Sequence, residues 1–170
     1  MRPSPDSPTQ FLRARADSNH LFQALLRAQL ALLAGGRASG VNGKLVGKEG
    51  MRLWTVQLKS RNPSPARDLA PIVLLHGYGA GLAFWWRQVD SLLLVRNLIL
   101  VDLPGHGASD SLPSLGGSAT DTEALFVEAL EGWRETLGIA RMVLVGHALV
   151  LLPLALPAAL HPSLSAQTPH

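Results

Sequence analysis

The sequence predicts an α/β fold, a mostly parallel β-sheet with flanking helices. Three observations predict it. Short, wholly apolar runs recur at residues 71–75 (PIVLL), 98–101 (LILV) and 142–145 (MVLV), the pattern of strands buried on both faces. Segments with helix-like spacing of apolar residues, 84–94 and 121–137, lie between them. Each run stops at a turn-forming sequence: HGYG, DLPGHGAS and GH. Strands alternating with helices imply parallel neighbours joined by right-handed crossovers. No internal repeat is present.

Residues 1–17 read as a proline- and serine-bearing tail. The first twenty residues are polar and lack an apolar core, so they are not a secretory signal. Their arginines and serines leave a mitochondrial presequence open, with Asp6 and Asp17 counting against it. A helix follows over residues 21–34, capped by Ser18 or Asn19 and ended by Gly35 and Gly36. His20, Gln23 and Arg27 form one narrow polar face and the rest is apolar nearly all round. Such a helix packs into a core groove or lies in a membrane interface. Gln23, Arg27 and Gln29 interrupt it too often for a bilayer span.

Residues 35–50 are glycine-rich and read as a loop, and RLWTVQL at 52–58 alternates as a strand does. Residues 59–70, with two prolines and several charges, read as a linker or turn. The helix at 84–94 carries Trp85, Trp86 and Leu92. The helix at 121–137 opens with a capping box of Thr120 and Glu123 and repeats Phe126, Leu130, Trp133 and Leu137 along one face before Gly138 ends it.

The chain has 170 residues, 47% hydrophobic and 16% charged, which suits a globular domain. It has no cysteine, excluding disulfides, thiolate metal ligands and a cysteine nucleophile. The formal charge of +3 hides an asymmetry. Residues 1–67 hold eleven Lys/Arg against three acids, a net of +8, and the remainder holds four against nine, a net of −5. A basic first third suits anionic lipid, or is simply a solvated arm. Nucleic acid is not expected, because the cations are scattered and no aromatics are interleaved with them.

Three strand-end motifs carry the chemistry, and their order is more specific than any one of them. His76-Gly77-Tyr78-Gly79 follows a buried strand. The Tyr78 backbone N–H of such a turn can face a substrate oxyanion, and the glycines let the chain bend back. A plain tight turn is the alternative. Asp102-Leu103-Pro104-Gly105-His106-Gly107-Ala108-Ser109 follows the next strand. Here the Asp102 carboxylate is expected to hold loop amides and shape a site wall, not to serve as catalytic acid. His106 is placed to be a general base, but on so glycine-rich a turn it is expected to brace the loop. The third motif is Gly146-His147-Ala148-Leu149-Val150. A nucleophile elbow G-x-S-x-G needs a serine on a strained corner between small residues. Ala148 fills the serine's slot and Val150 the second glycine's, and alanine cannot attack a substrate.

Taken with the stretches PIVLLHGYGAGLAFWWRQVDSL, LILVDLPGHGASD and FVEALEGWRETLGIARMVLVGH, these motifs resemble the α/β-hydrolase superfamily. Within it the chain resembles the branch of N-acyl-phospholipid lysophospholipases and the lipid-droplet co-activator of adipose triglyceride lipase, and MRLWTVQL resembles that branch's first strand. The resemblance covers residues 51–147. It implies a partial α/β-hydrolase fold and a lipid or acyl-ester ligand, with Tyr78 and Leu149 supplying oxyanion-hole amides. It also implies ester hydrolysis, acyl transfer to a lysophosphatidic acid, or lipase co-activation. No cofactor or metal is expected. A membrane or lipid-droplet surface and a lipase are the partners it suggests, in a cytoplasmic setting.

The chain departs from that pattern at Ala148, in lacking an N-terminal tryptophan-rich segment before Trp54, and after residue 147. The tail from residue 148 has no Lys, Arg, Asp, Glu or Gly. Its histidines, His161 and His170, and its serines, Ser163 and Ser165, sit in a proline-bearing stretch. The expectation is three segments: a basic arm with an apolar helix (1–50), the front half of a hydrolase domain (51–147) and a divergent apolar tail (148–170). On this reading the fold is truncated after the nucleophile strand, by splicing or by a misread gene, and the chain lacks nucleophile, acid and base. Two alternatives stay open: a weak non-serine esterase or acyltransferase, and a membrane-associated chain anchored by residues 143–160. That strand is also expected to leave an apolar edge open to association.

Overall fold

A computed structural model describes residues 24, 26–35, 41–62, 69–111 and 119–147. Residues 26–34 are helical (α1). They are followed by strands β1 (Gly43–Val46), β2 (Leu53–Leu58) and β3 (Ile72–Leu75), a 3-10 turn (Leu82–Trp85) leading into α2 (Trp86–Leu92), β4 (Leu98–Val101), α3 (Ala119–Thr136) and β5 (Val143–Gly146).

The five strands form one sheet in the order β1-β2-β4-β3-β5. β3 pairs in parallel with both β4 and β5, with Leu75 opposite Val101 on one side and Gly146 on the other. β1 pairs antiparallel with β2, and β2 antiparallel with β4. The sheet is therefore mixed. Its parallel half is the one the three apolar runs predict, and β1 and β2 add an antiparallel flank.

The apolar runs are buried for the reason their composition suggests. Successive side chains of β3 and β4 point to opposite faces and find a core on each. Ile72, Leu74, Leu98 and Leu100 join Leu82, Trp85, Val89 and Leu93 on one face. Val73, Leu75, Ile99 and Val101 join Ala129, Trp133 and Ile139 of α3 and its exit on the other. The predicted stripe of α3 faces this second core, with Phe126, Leu130 and Leu137 packed at its margin. Gly138 ends the segment at φ +65, and of the capping pair only Glu123 has a described side chain, which is exposed. A polar link crosses this core: Trp133 Nε1 donates to Thr55 Oγ1 at 2.9 Å, and both residues are buried.

One expectation is corrected. The glycine-rich stretch 35–50 is not all loop, because residues 43–46 form β1. Its cause is non-local: the Trp54 indole lies over Gly43, where a Cβ would come 2.5 Å from Cζ2. Of the two placements its pattern allows, α1 takes the core groove. Leu33 is fully buried in the cluster with Leu82 and Trp85, and Leu26 is buried too. The core thus extends ahead of residue 51 and takes in α1 and β1. Arg27 is exposed as expected, while His20 and Gln23 lie outside the described residues.

Among the described residues β5 is an edge strand, and its side chains are all half-buried. Residues 143–146 are committed to the sheet, so an anchor over 143–160 cannot begin there. The remainder of that segment lies outside the described residues. No helix among the described residues is long and apolar enough to cross a membrane.

Candidate functional site

The carboxyl ends of the parallel strands bring the first two motifs together. The HGYG turn leaves β3, the DLPGHGAS loop leaves β4, and Gly146-His147 ends β5. The His147 N–H donates to the Leu75 carbonyl at 3.2 Å, so the tips of β3 and β5 are side by side. Ligands of open α/β sheets bind at this edge.

The turn at residues 77–80 closes with the Ala80 N–H donating to the Gly77 carbonyl at 3.2 Å, and Gly79 sits at φ +71. That left-handed position is one glycine takes without steric cost. Among the described residues the Tyr78 N–H meets no acceptor, and the Tyr78 side chain is 89% exposed. A free N–H on a rigid turn is what an oxyanion site requires.

His76 is fully buried beneath this turn. Its Nδ1 lies 2.8 Å from the Gly77 carbonyl and its Nε2 3.0 Å from the Leu103 amide nitrogen. An amide N–H can only donate, so the network assigns the neutral ring with its proton on Nδ1. Burial holds the ring's pKa below its ordinary value, and the Gly77 carbonyl and the Asp102 carboxylate pull the other way. The 3.7 Å approach of Nε2 to Asp102 Oδ1 is therefore a contact between acceptors and not an ion pair.

Asp102 is fully buried and works as expected, as a holder of amides. Its carboxylate accepts from the Leu82 N–H at 2.6 Å and from the Ala108 N–H at 3.1 Å. Burial raises its pKa, and the two amides oppose that shift. Gly107 is forced by this arrangement. It lies at φ +53, and a Cβ there would meet Asp102 Oδ2 at 1.9 Å. Gly105, at φ +73, has open space around it.

The loop is bolted to β2 by two further residues. Ser109 Oγ donates to the Asp102 carbonyl at 2.6 Å and accepts from the Trp54 N–H at 2.8 Å. Asp110 takes Arg52 in a fork, Nε to Oδ2 at 2.9 Å and Nη2 to Oδ1 at 3.2 Å. The Arg52 guanidinium holds the Asp110 carboxyl below its ordinary range. No motif reading singled out Asp110, although it directly follows Ser109 and has opposite charge to an arginine at the start of β2.

His106 braces the loop. Its Nδ1 lies 3.0 Å from the Pro104 carbonyl, and its ring meets those of His76 and Tyr78 edge-on, at 5.3 and 5.9 Å. His147 is exposed and its ring lies 4.7 Å from that of Phe84. Phe84 and Trp86 are themselves exposed, giving this end of the sheet an aromatic rim. Ala148, Leu149 and Val150 lie outside the described residues. Among the described residues no group of three or more His, Asp or Glu could hold a metal ion.

The alpha/beta hydrolase fold family matches residues 70–149. Over 98 residues the chain is 39% identical to the human (lyso)-N-acylphosphatidylethanolamine lipase, covering 58% of this chain and 27% of that one. Over 100 residues it is 40% identical to the human 1-acylglycerol-3-phosphate O-acyltransferase ABHD5, covering 59% and 27%. The chain thus spans about a quarter of the length of these curated relatives. Among solved structures, Cfl2 from Burkholderia cenocepacia superposes with a TM-score of 0.58 at 30% identity, over 75% of this chain and 40% of that one. A membrane phospholipase A described as a bacterial virulence factor superposes at 0.61 and 22% identity, over 89% and 46%, a likeness of fold alone.

Proposed function

We propose that this chain, whose residues 70–149 match the alpha/beta hydrolase fold family, binds an acyl lipid at the strand tips without turning it over, in a regulatory or lipid-binding role. One observation carries the reading. Alanine occupies position 148, directly after the β5 tip, where the elbow pattern needs a serine. An oxyanion-type N–H at Tyr78, in a chain whose sequence has no nucleophile at position 148, suits holding a carbonyl oxygen more than attacking its carbon. The named activities of the two relatives, on N-acylphosphatidylethanolamine and on 1-acylglycerol-3-phosphate, support a lipid with an acyl group as the ligand class. The Tyr78, Phe84 and Trp86 rim offers apolar contact area for the acyl chain, or for a lipid surface on which the protein would work. A lipase partner follows from the co-activator side of the same resemblance.

The test is a paired measurement on the purified chain: ester hydrolysis with short- and long-chain acyl esters, and saturable binding of 1-oleoylglycerol-3-phosphate. The expected result is hydrolysis no faster than buffer, with binding that Tyr78→Pro weakens by removing the N–H. Hydrolysis that resists a serine-directed inhibitor yet disappears in Tyr78→Pro would establish the non-serine enzyme instead. Absence of both binding and hydrolysis would overturn either reading.

A further inference from the structure

The α1 helix lies outside the residues that match the hydrolase family, yet it reaches the turn that carries Tyr78. Its Gln29 is the contact. At Gly81 a Cβ would project into a space bounded by Gln29 Nε2 at 2.9 Å and Asp102 Oδ1 at 3.3 Å. The next residue, Leu82, donates its N–H to that same Asp102 oxygen at 2.6 Å. Gly81 is extended, at φ −150 and ψ 176, so conformation does not demand glycine there, and a side chain would have to displace the Gln29 amide. Gln29 sits beside an apolar seam. Leu33, one turn along α1, is fully buried with Leu82 and Trp85, and Leu30 packs against the same cluster. Within this seam Gln29 Oε1 is buried and has no hydrogen-bond partner. Packing alone would favour a leucine, which carries no polar atom to strand.

We propose that Gln29 is a positioning residue for the acyl-oxygen site. From α1 its amide fills the space beside Gly81, next to Asp102, and so limits movement of the far end of the turn. This fixes the 76–82 segment and with it the direction of the Tyr78 N–H. The inference rests on reading that turn as the acyl-oxygen site, and it brings a residue from outside the family match into the ligand's surroundings.

The test uses the full chain with Gln29→Leu, Gly81→Ala and the double variant. Gln29→Leu keeps side-chain size and α1 docking but removes the amide. Gly81→Ala drives a methyl into the shared space and pushes Gln29 aside. The readouts are amide hydrogen exchange of residues 78–85 and binding of 1-oleoylglycerol-3-phosphate. Each single variant is expected to speed exchange in the turn and weaken binding by roughly threefold to tenfold, the scale of one altered packing contact. The double variant is expected to be no worse than the more affected single one, because both substitutions remove the same contact. Additive losses, unchanged exchange in Gln29→Leu, or faster exchange with unaltered binding would each overturn the inference. A wild-type chain that binds no lipid would instead sink the acyl-ligand reading, and the exchange pattern would still decide whether Gln29 clamps the turn.

Discussion

Gly107→Ala isolates the demand that a buried carboxylate makes on the loop after β4, and Gly105→Ala is its internal control. Both glycines have positive φ, +53 and +73, so alanine at either costs about 1 kcal/mol of left-handed strain. There the likeness ends. At Gly105 nothing lies within 4 Å of the new methyl, so strain is the whole cost. At Gly107 the methyl would lie 1.9 Å from Asp102 Oδ2 and 2.4 Å from Cγ, and real Cβ contacts essentially never fall under 3.0 Å. Asp102 is fully buried, so its carboxylate cannot turn out into solvent to make room. The Oδ2 bond from the Ala108 N–H breaks, and the Oδ1 bond from Leu82 is strained. A hydrogen bond to a charged group is worth about 1.5–3 kcal/mol. Gly107→Ala should therefore cost about 3–5 kcal/mol against about 1 for Gly105→Ala. Urea titration followed by tryptophan fluorescence reads the difference, with Trp85 and Trp133 buried and reporting on opposite faces of the sheet. Equal midpoints for the two variants would refute the reasoning, since they would mean that Asp102 is not fixed where its amide bonds place it.

Two smaller predictions use the same titration. Thr55→Val strands the Trp133 indole N–H in the core and should cost about 1–3 kcal/mol, and a change under 0.5 kcal/mol would show that the bond contributes nothing. Asp110 has its folded pKa held down by Arg52, so its contribution is complete above the ordinary carboxylate value near ~3.9 and fades as pH falls through the lower folded value. Asp110→Asn should accordingly flatten the acid limb of the stability curve, and an unaltered limb below about pH 4 would dispose of the Arg52 fork as a stabilising pair.

The elements that were legible in the sequence are those whose residues leave one solution. PIVLL and LILV are apolar at every position, and only a strand with a core on both faces buries every side chain. The stripe from Phe126 to Leu137 has one helical face and needs one sheet face to cover it. The amide-holding role of Asp102 was also readable, because a carboxylate ahead of a proline- and glycine-rich turn has amides within reach. His106 bracing its own loop follows from the same local chemistry.

What the sequence left open depended on partners distant in the chain. GKLV has too little alternation to announce a strand and becomes β1 because Trp54 lays its ring over Gly43. The apolar helix at residues 26–34 fitted a core groove and a membrane interface equally well, and burial of Leu33 against Leu82 and Trp85 decided for the core. Asp110 carried no motif, and its role appears only when β2 brings Arg52 alongside. Gln29 read as an interruption of an apolar helix, and its contact with Gly81 exists only once α1 has docked. The sequence by itself determined the parallel strands, the helix between β4 and β5 and the turns at the strand tips, because each follows from local composition and spacing. The tertiary structure alone decided which face α1 covers, how the sheet is extended by β1, and what holds the turn in place, because those depend on side chains that meet only when the sheet has formed.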